Sequence, residues 1–196
     1  KAQPGDLDMG EVLAHLRDVI PENAIVTNGA GNFAIWPNKF LKFGPKGRLL
    51  APQSGAMGYG VPAAIAAKLH DPSRFVLCFA GDGDFQMNGN ELGSAMQAGL
   101  PLIILIVNNG TYGTIRMHQE RDYPGNVIAT DLTNPDFMLF AQSFGAHGER
   151  VEKTEDFTAA FDRAKQSGKP AIIELIVDAE AITPTATLSG LREAAL

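Results

Sequence analysis

Phe75-Val76-Leu77-Cys78-Phe79-Ala80-Gly81-Asp82-Gly83 and, further on, Leu102-Ile103-Ile104-Leu105-Ile106-Val107-Asn108-Asn109 are the stretches whose reading decides the fold. Each is a short apolar run rich in branched side chains that ends in small or polar residues. Such runs suit strands covered by helices on both faces. Between them, residues 88–98 carry helix punctuation: Asn88 as cap, Glu91 three positions on as in a capping box, then Gly99 and Pro101 as the stop. The reading is a β-α-β unit. In a right-handed crossover, parallel strands end on the same edge of the sheet, so Asp82 and Asn109 are expected to reach one point in space. Gly83 and Asn108 are separated by 24 residues. A helix of about 16 Å and a strand of about 23 Å fill that spacing without a long loop.

Outward from this unit the same alternation continues. Residues 8–19 place Met9, Val12, Leu13, Leu16 and Val19 at helical spacing, and residues 24–27 form a short strand running into a glycine turn. Trp36-Pro37 allows at most a short helix in residues 32–42. Residues 58–69 read as an alanine-rich helix, 121–134 as a polar loop, 135–144 and 155–166 as helices, 171–177 as a last strand, and 182–196 as a tail with a short helix. The pattern predicts an α/β fold: a doubly wound, mostly parallel sheet with helices on both faces. Residues 1–180 are expected to form one domain and 181–196 a C-terminal tail.

A chain of 196 residues has room for one such domain and needs no disulfide scaffold. The single cysteine, Cys78, lies inside an apolar run and reads as a small buried hydrophobe, which fits a reducing, cytoplasmic setting. Net charge of -6 argues against nucleic acid or an anionic membrane as partner, and no apolar run reaches the roughly 20 residues of a membrane span. The acidic residues avoid the stretch between Glu22 and Asp71, which holds Lys39, Lys42, Lys46, Arg48 and Lys68. Lys1-Ala2-Gln3-Pro4 is neither an initiator methionine nor a signal peptide, and a piece of something longer is expected.

Gly29-Ala30-Gly31-Asn32-Phe33-Ala34 matches the G-x-G-x-x-A form of the dinucleotide fingerprint. That fingerprint asks for an acidic residue about 20 positions later, and none is there. Lys46 and Arg48 leave a 2′-phosphate as an option, but Trp36-Pro37 breaks the helix that should follow. A phosphate-contacting turn is favoured over a purely structural one, and a dehydrogenase comes last.

One carboxylate, one amide oxygen and nearby carbonyls form a hard-oxygen set of the kind that suits Mg²⁺ completed by water and phosphate oxygens. A diphosphate is the natural completion, receiving N–H groups from the glycine turns and from the start of the expected Asn88 helix. Gly81-Asp82-Gly83, 24 residues, then Asn108-Asn109 resembles the thiamine-diphosphate signature. The context Asp84-Phe85-Gln86-Met87-Asn88-Gly89-Asn90-Glu91-Leu92 strengthens the likeness. Nearly the whole chain resembles the C-terminal, diphosphate-binding domain of the acetolactate synthase large subunit and the related 2-oxo-acid decarboxylases.

The resemblance implies Asp82, Asn109 and the backbone oxygen of Thr111 as Mg²⁺ ligands. Gly31 and Asn32 match the first phosphate turn, and Gly83, Asp84 and Phe85 the second. Asp84 stands where a small residue is common, so its amide is expected to face the diphosphate and its carboxylate to turn away. Met57 matches the residue wedged between the cofactor rings, with core filler as the alternative, and the Gly55 carbonyl matches the acceptor of the 4′-amino group. Tyr112, Gly113 and Thr114 continue the cofactor contacts, and His118 is either a substrate-side acid or a solvated loop residue. Two features depart from acetolactate synthases: Asn32-Phe33 replaces a Gln-His pair, and the methionine near Thr114 and tryptophan near His118 are missing. His15, His70 and His147 read as surface residues.

By the same resemblance, the reaction is decarboxylation of a 2-oxo acid such as pyruvate, with the acyl carbanion transferred to a second carbonyl or released. The glutamate that activates the cofactor comes from an N-terminal domain, usually of a neighbouring subunit. N-terminal pyrimidine-binding and central domains and a homo-oligomer are therefore expected, with this chain inactive alone. The alternatives are a non-ligating decarboxylase resembling benzoylformate decarboxylase, or a non-catalytic thiamine-diphosphate sensor.

Overall fold

The computed structural model describes residues 3–196; Lys1 and Ala2, and the expectation drawn from them, lie outside the described residues. Six strands form one sheet, β1 (Ile25–Asn28), β2 (Arg48–Leu50), β3 (Val76–Gly81), β4 (Ile103–Asn108), β5 (His147–Val151) and β6 (Ala171–Ile176). Their order is β2-β1-β3-β4-β6-β5, and every pairing is parallel. The alternation along β3 explains the two layers. Leu77 and Phe79 face one core with Leu105 and Ile173, while Val76, Cys78 and Ala80 face the other with Ile104 and Ile172.

The first face is covered by α1 (Met9–Val19) and α8 (Phe157–Gln166). Asp8 caps α1, its Oδ1 accepting the Gly10 amide at 2.7 Å, and the helix buries Met9, Val12, Leu13 and Leu16. Phe157 and Phe161 of α8 are fully buried, each contributing about 1.5–3 kcal/mol of burial free energy. The second face carries α3 (Gly60–His70), α4 (Asp82–Asn88), α5 (Leu92–Gln97) and α7 (Phe137–Ser143). The short α2 (Ile35–Phe40) holds Pro37 in its first turn, where no intrahelical acceptor is needed, so Trp36-Pro37 begins a helix rather than breaking one. No helix of the described residues is long and apolar enough to cross a membrane.

Several expectations are corrected. The helix expected over residues 88–98 is present as a 3-10 turn, Gly89–Glu91, running into α5, with Asn88 at the N-cap position. A further helix, α4, precedes it from inside the Gly81-Asp82-Gly83 turn, and the Asn88 side chain donates to the Gly58 carbonyl at 2.8 Å instead of capping. Glu91 accepts from Ser94 Oγ, so there is no capping box. Residues 113–122 form the helix α6 (Gly113–Asp122), and β2 and β5 are strands the sequence pattern did not show. His15 is half-buried, edge-on to Phe157 at 5.7 Å, and His147 is a β5 residue bonded to Glu149 at 3.0 Å; His70 is exposed. Lys68 is not a surface charge but is buried, its ammonium held by the Pro72 and Arg74 carbonyls.

The terminal helix α9 (Leu188–Ala195) packs on α6. Glu120 of α6, fully buried, accepts from Arg192 Nε at 2.6 Å and Arg116 Nε at 2.9 Å. Its bonds to Arg192, and then those to Arg116, hold the carboxyl at about 2, against an ordinary value of 4.5. A lowered folded-state value means stabilisation that is complete above 4.5 and lost as pH falls towards 2. Hydrogen-exchange protection of α9 is expected to drop across that window, and Glu120→Gln to remove it already at neutral pH. Identical α9 profiles for the two proteins contradict this.

Candidate active site

All six strands point the same way, so their C-terminal ends share one edge of the sheet. From β1 the chain passes outward to β2, whereas from β3 it passes to β4 on the opposite side. The crevice beyond β1 and β3 is thus a topological switch point, where open α/β sheets take ligands. A cleft lies there, walled by the turn after β1 (Ala30, Gly31, Asn32) and the turn after β3 (Gly81 to Asp84).

The cleft lining includes Gly31, Asn32, Met57, Asp82, Gly83 and Asp84, and from the far side Asn109, Thr111, Tyr112, Gly113 and Thr114. Three singled-out residues are elsewhere. Gly55 sits on an exposed turn with φ of 68°, and the Phe85 ring lies in the core, 5.5 Å from Phe137 and 5.6 Å from Phe140. His118 is exposed, against Arg121 at 2.9 Å, and does not line the cleft. The apolar floor, Met9, Trp36, Val107, Val177 and Ile182, was not singled out in the sequence because each reads as ordinary core.

Asp82 is 3% exposed, and burial pushes its carboxyl up. Its Oδ2 accepts the Gly110 amide at 3.0 Å and Asn134 Nδ2 at 2.7 Å, joining the ends of β3 and β4. Asn109 Oδ1 accepts the Thr111 amide at 3.2 Å, an Asx turn. Thr111 forms an antiparallel bridge with Asp131 whose bonds use the Gly110 carbonyl and the Tyr112 amide, so the Thr111 carbonyl is left out of that pairing. Among the described residues no three His, Cys, Asp or Glu side chains converge as a metal-binding cluster. The oxygens present here are one carboxylate, one amide and one carbonyl, a set too small to hold Mg²⁺ alone but suited to it beside phosphate oxygens.

The Asp84 carboxylate is held by the two neighbouring turns, Oδ1 accepting Gly58 N at 2.8 Å and Ala30 N at 3.2 Å. Burial pushes it up to about 6, with those amides opposing the shift. Gly58, at φ of 84°, has no room for a side chain, since a Cβ would lie 2.7 Å from Asn88 Nδ2 and Met87 Cβ. Thr114 Oγ1 accepts the Asn32 amide at 3.0 Å and donates to Asn32 Oδ1 at 3.0 Å, while Asn32 Nδ2 reaches Met117 Sδ at 3.3 Å. Asn32 and Thr114 therefore form one unit.

A parallel sheet with glycine turns meeting at its switch point belongs to the class of α/β domains that take phosphate-bearing ligands. The family described as thiamine pyrophosphate enzyme, C-terminal TPP binding domain, matches residues 29–175, and the chain belongs to it. It is 39% identical over 169 residues to the acetolactate synthase large subunit of Parasynechococcus marenigrum, covering 85% of this chain and 27% of that protein. It is 33% identical over 178 residues to the acetolactate synthase isozyme 2 large subunit of Escherichia coli, covering 89% and 32%. For the Corynebacterium glutamicum large subunit the figures are 35% over 187 residues, 91% and 30%. The chain thus spans about a third or less of the length of these relatives.

Proposed function

We propose that this chain is the diphosphate- and Mg²⁺-binding domain of an acetolactate synthase-like enzyme that decarboxylates a 2-oxo acid such as pyruvate and transfers the acyl unit. The observation that carries this reading is the meeting of Asp82 with the Asn109-Gly110-Thr111 turn at the ends of adjacent strands, on a cleft also walled by the Gly31 turn. When bound, thiamine diphosphate supplies the nucleophilic carbon and the electron sink for decarboxylation. Asp82, Asn109 and the Thr111 carbonyl hold the metal, and amides of the Gly31 and Gly83 turns meet the diphosphate. Met57 orients the rings from the cleft wall, and Trp36, Val107 and Ile182 exclude water beneath.

The large subunits it resembles are about three times longer, and the carboxylate that activates the cofactor is assigned here to sequence beyond this chain, in a neighbouring subunit of a cytoplasmic homo-oligomer. The isolated chain is then inactive. The Asn32–Thr114 unit on the cleft wall supports a second reading, a non-ligating decarboxylase, because Asn32-Phe33 stands where the resemblance to acetolactate synthases expects a Gln-His pair. The intact protein carrying this chain, supplied with thiamine diphosphate, Mg²⁺ and a panel of 2-oxo acids, is expected to consume pyruvate and form acetolactate. Release of aldehyde alone moves the assignment to the decarboxylase. Cofactor binding with no turnover of any 2-oxo acid contradicts both.

A further inference from the structure

Behind the cleft a line of side chains runs from Asp82 to the far edge of the sheet. Asn134 Nδ2 donates to Asp82 Oδ2 at 2.7 Å and to Asn108 Oδ1 at 2.9 Å, and Gln86 Nε2 donates to Asn134 Oδ1 at 2.9 Å. Asn108 Oδ1 also accepts the Gly110 amide at 3.0 Å, the same amide that reaches Asp82. Asn108 Nδ2 donates to Glu174 Oε1 at 2.7 Å, and Glu174 Oε2 accepts Arg150 Nε at 2.8 Å. Arg150 is backed by Asp136 at 3.3 Å. Glu174 is 1% exposed, on a strand whose other residues are Ala171, Ile172, Ile173, Leu175 and Ile176.

The chemistry of the two ends fixes every amide between them. A guanidinium only donates and a carboxylate only accepts. Glu174, facing Arg150 on one side and Asn108 on the other, presents an oxygen to each, so Asn108 must turn its NH₂ to β6 and its oxygen to Gly110 and Asn134. Asp82 at the other end imposes the opposite sense on Asn134. Neither amide has freedom to flip without placing donor against donor. A buried carboxylate in an apolar strand carries a desolvation penalty, and a whole buried ion pair is often replaced by well-packed apolar residues without loss of stability. What the carboxylate adds is direction.

We propose that Glu174 and Asn134 are positioning residues that hold Asp82 and the Asn109-Gly110-Thr111 turn in the arrangement that receives a divalent cation. This rests on the reading of that turn and Asp82 as the cation's ligands. Neither residue touches the cation; both act through Asn108, Gly110 and Asp82.

The test uses Mn²⁺ as probe, its affinity measured by electron paramagnetic resonance on the intact protein in the presence of thiamine diphosphate. In Glu174→Gln, Arg150 claims the amide oxygen, the new NH₂ faces the NH₂ of Asn108, and Asn108 is driven to flip against Gly110 and Asn134. Mn²⁺ affinity is expected to fall about ten- to a hundredfold, as for loss of other outer-shell partners. Adding Asn108→Asp supplies acceptors on both sides, leaves the summed charge of the pair unchanged and is expected to restore affinity to within about threefold, a rescue that a merely space-filling role does not give. Should Glu174→Gln not fold, Asn134→Ser, at a half-exposed position, is expected to weaken Mn²⁺ about tenfold. Undiminished affinity in Glu174→Gln or Asn134→Ser, or a folded double variant without recovery, overturns the proposal. Absence of Mn²⁺ binding in the unaltered protein overturns instead the cation reading on which it stands.

Discussion

Asp82→Ala is expected to weaken Mg²⁺-dependent thiamine diphosphate binding by about a hundredfold or more, the largest effect of any single substitution on the cleft wall. Asp82 is the sole carboxylate in the oxygen set assembled around the Asn109-Gly110-Thr111 turn, and it is also the acceptor for Gly110 and Asn134. Alanine therefore removes charge and scaffold together. Asp82→Asn separates them. It keeps an oxygen for Gly110 and Asn134 but brings no charge, so the turn stays in place while the cation loses its strongest partner. Because burial already disfavours the ionised carboxyl, the cation-free Asn variant is expected to unfold at a temperature no lower than the unaltered protein. Calorimetric titration with the cofactor, with and without Mg²⁺, measures both; an Asp82→Asn protein that binds with undiminished Mg²⁺ dependence contradicts the assignment.

Gly29→Ala carries the largest expected effect on stability. A Cβ at that position would lie 1.9 Å from Asp84 Oδ1 and 2.3 Å from its Cγ, a buried carboxylate held by two backbone amides. Moving it strands the Ala30 and Gly58 donors, and the combined cost is about 3 kcal/mol or more. Asp84→Ala alone leaves those donors unpaired but also removes a carboxylate that burial penalises, so it costs about 1–2 kcal/mol. Once Asp84 is short, alanine at position 29 has room. The double variant is expected to be more stable than Gly29→Ala, a non-additivity read from urea denaturation midpoints. Additive losses mean that Gly29 is required for some reason other than Asp84.

The β3-to-β4 unit was legible because both strands are buried on both faces and their sequences are continuous apolar runs. The edge strands were not. Arg48–Leu50 is three residues long, and His147–Val151 is mostly polar; both exist through pairing with a neighbour rather than through a pattern of their own. Helix α6 lacks an apolar stripe and is tied down by Arg116, Glu120 and Arg192, the last 72 positions from its partner. At Asn88 the sequence offered a capping box, and a tertiary bond to Gly58 took the side chain instead.

The candidate site divides in the same way. Asp82, Asn109 and the glycine turns follow strand ends and were visible as spacing. Asn134 and Glu174 were not, because a polar loop residue and a lone glutamate in an apolar strand gain meaning only when Asn108 lies between them. Phe85 illustrates the converse: it lies within the signature, yet its ring serves the core.

The most direct measurement is calorimetric titration of the intact protein with thiamine diphosphate, alternately in Mg²⁺ and in a chelator, with NADH as the competing ligand. The expected result is saturable binding of thiamine diphosphate that requires the divalent cation, with no heat from NADH. Binding of NADH, or thiamine diphosphate binding of equal affinity in the chelator, contradicts the assignment of Asp82, Asn109 and Thr111 to a cation-bridged diphosphate.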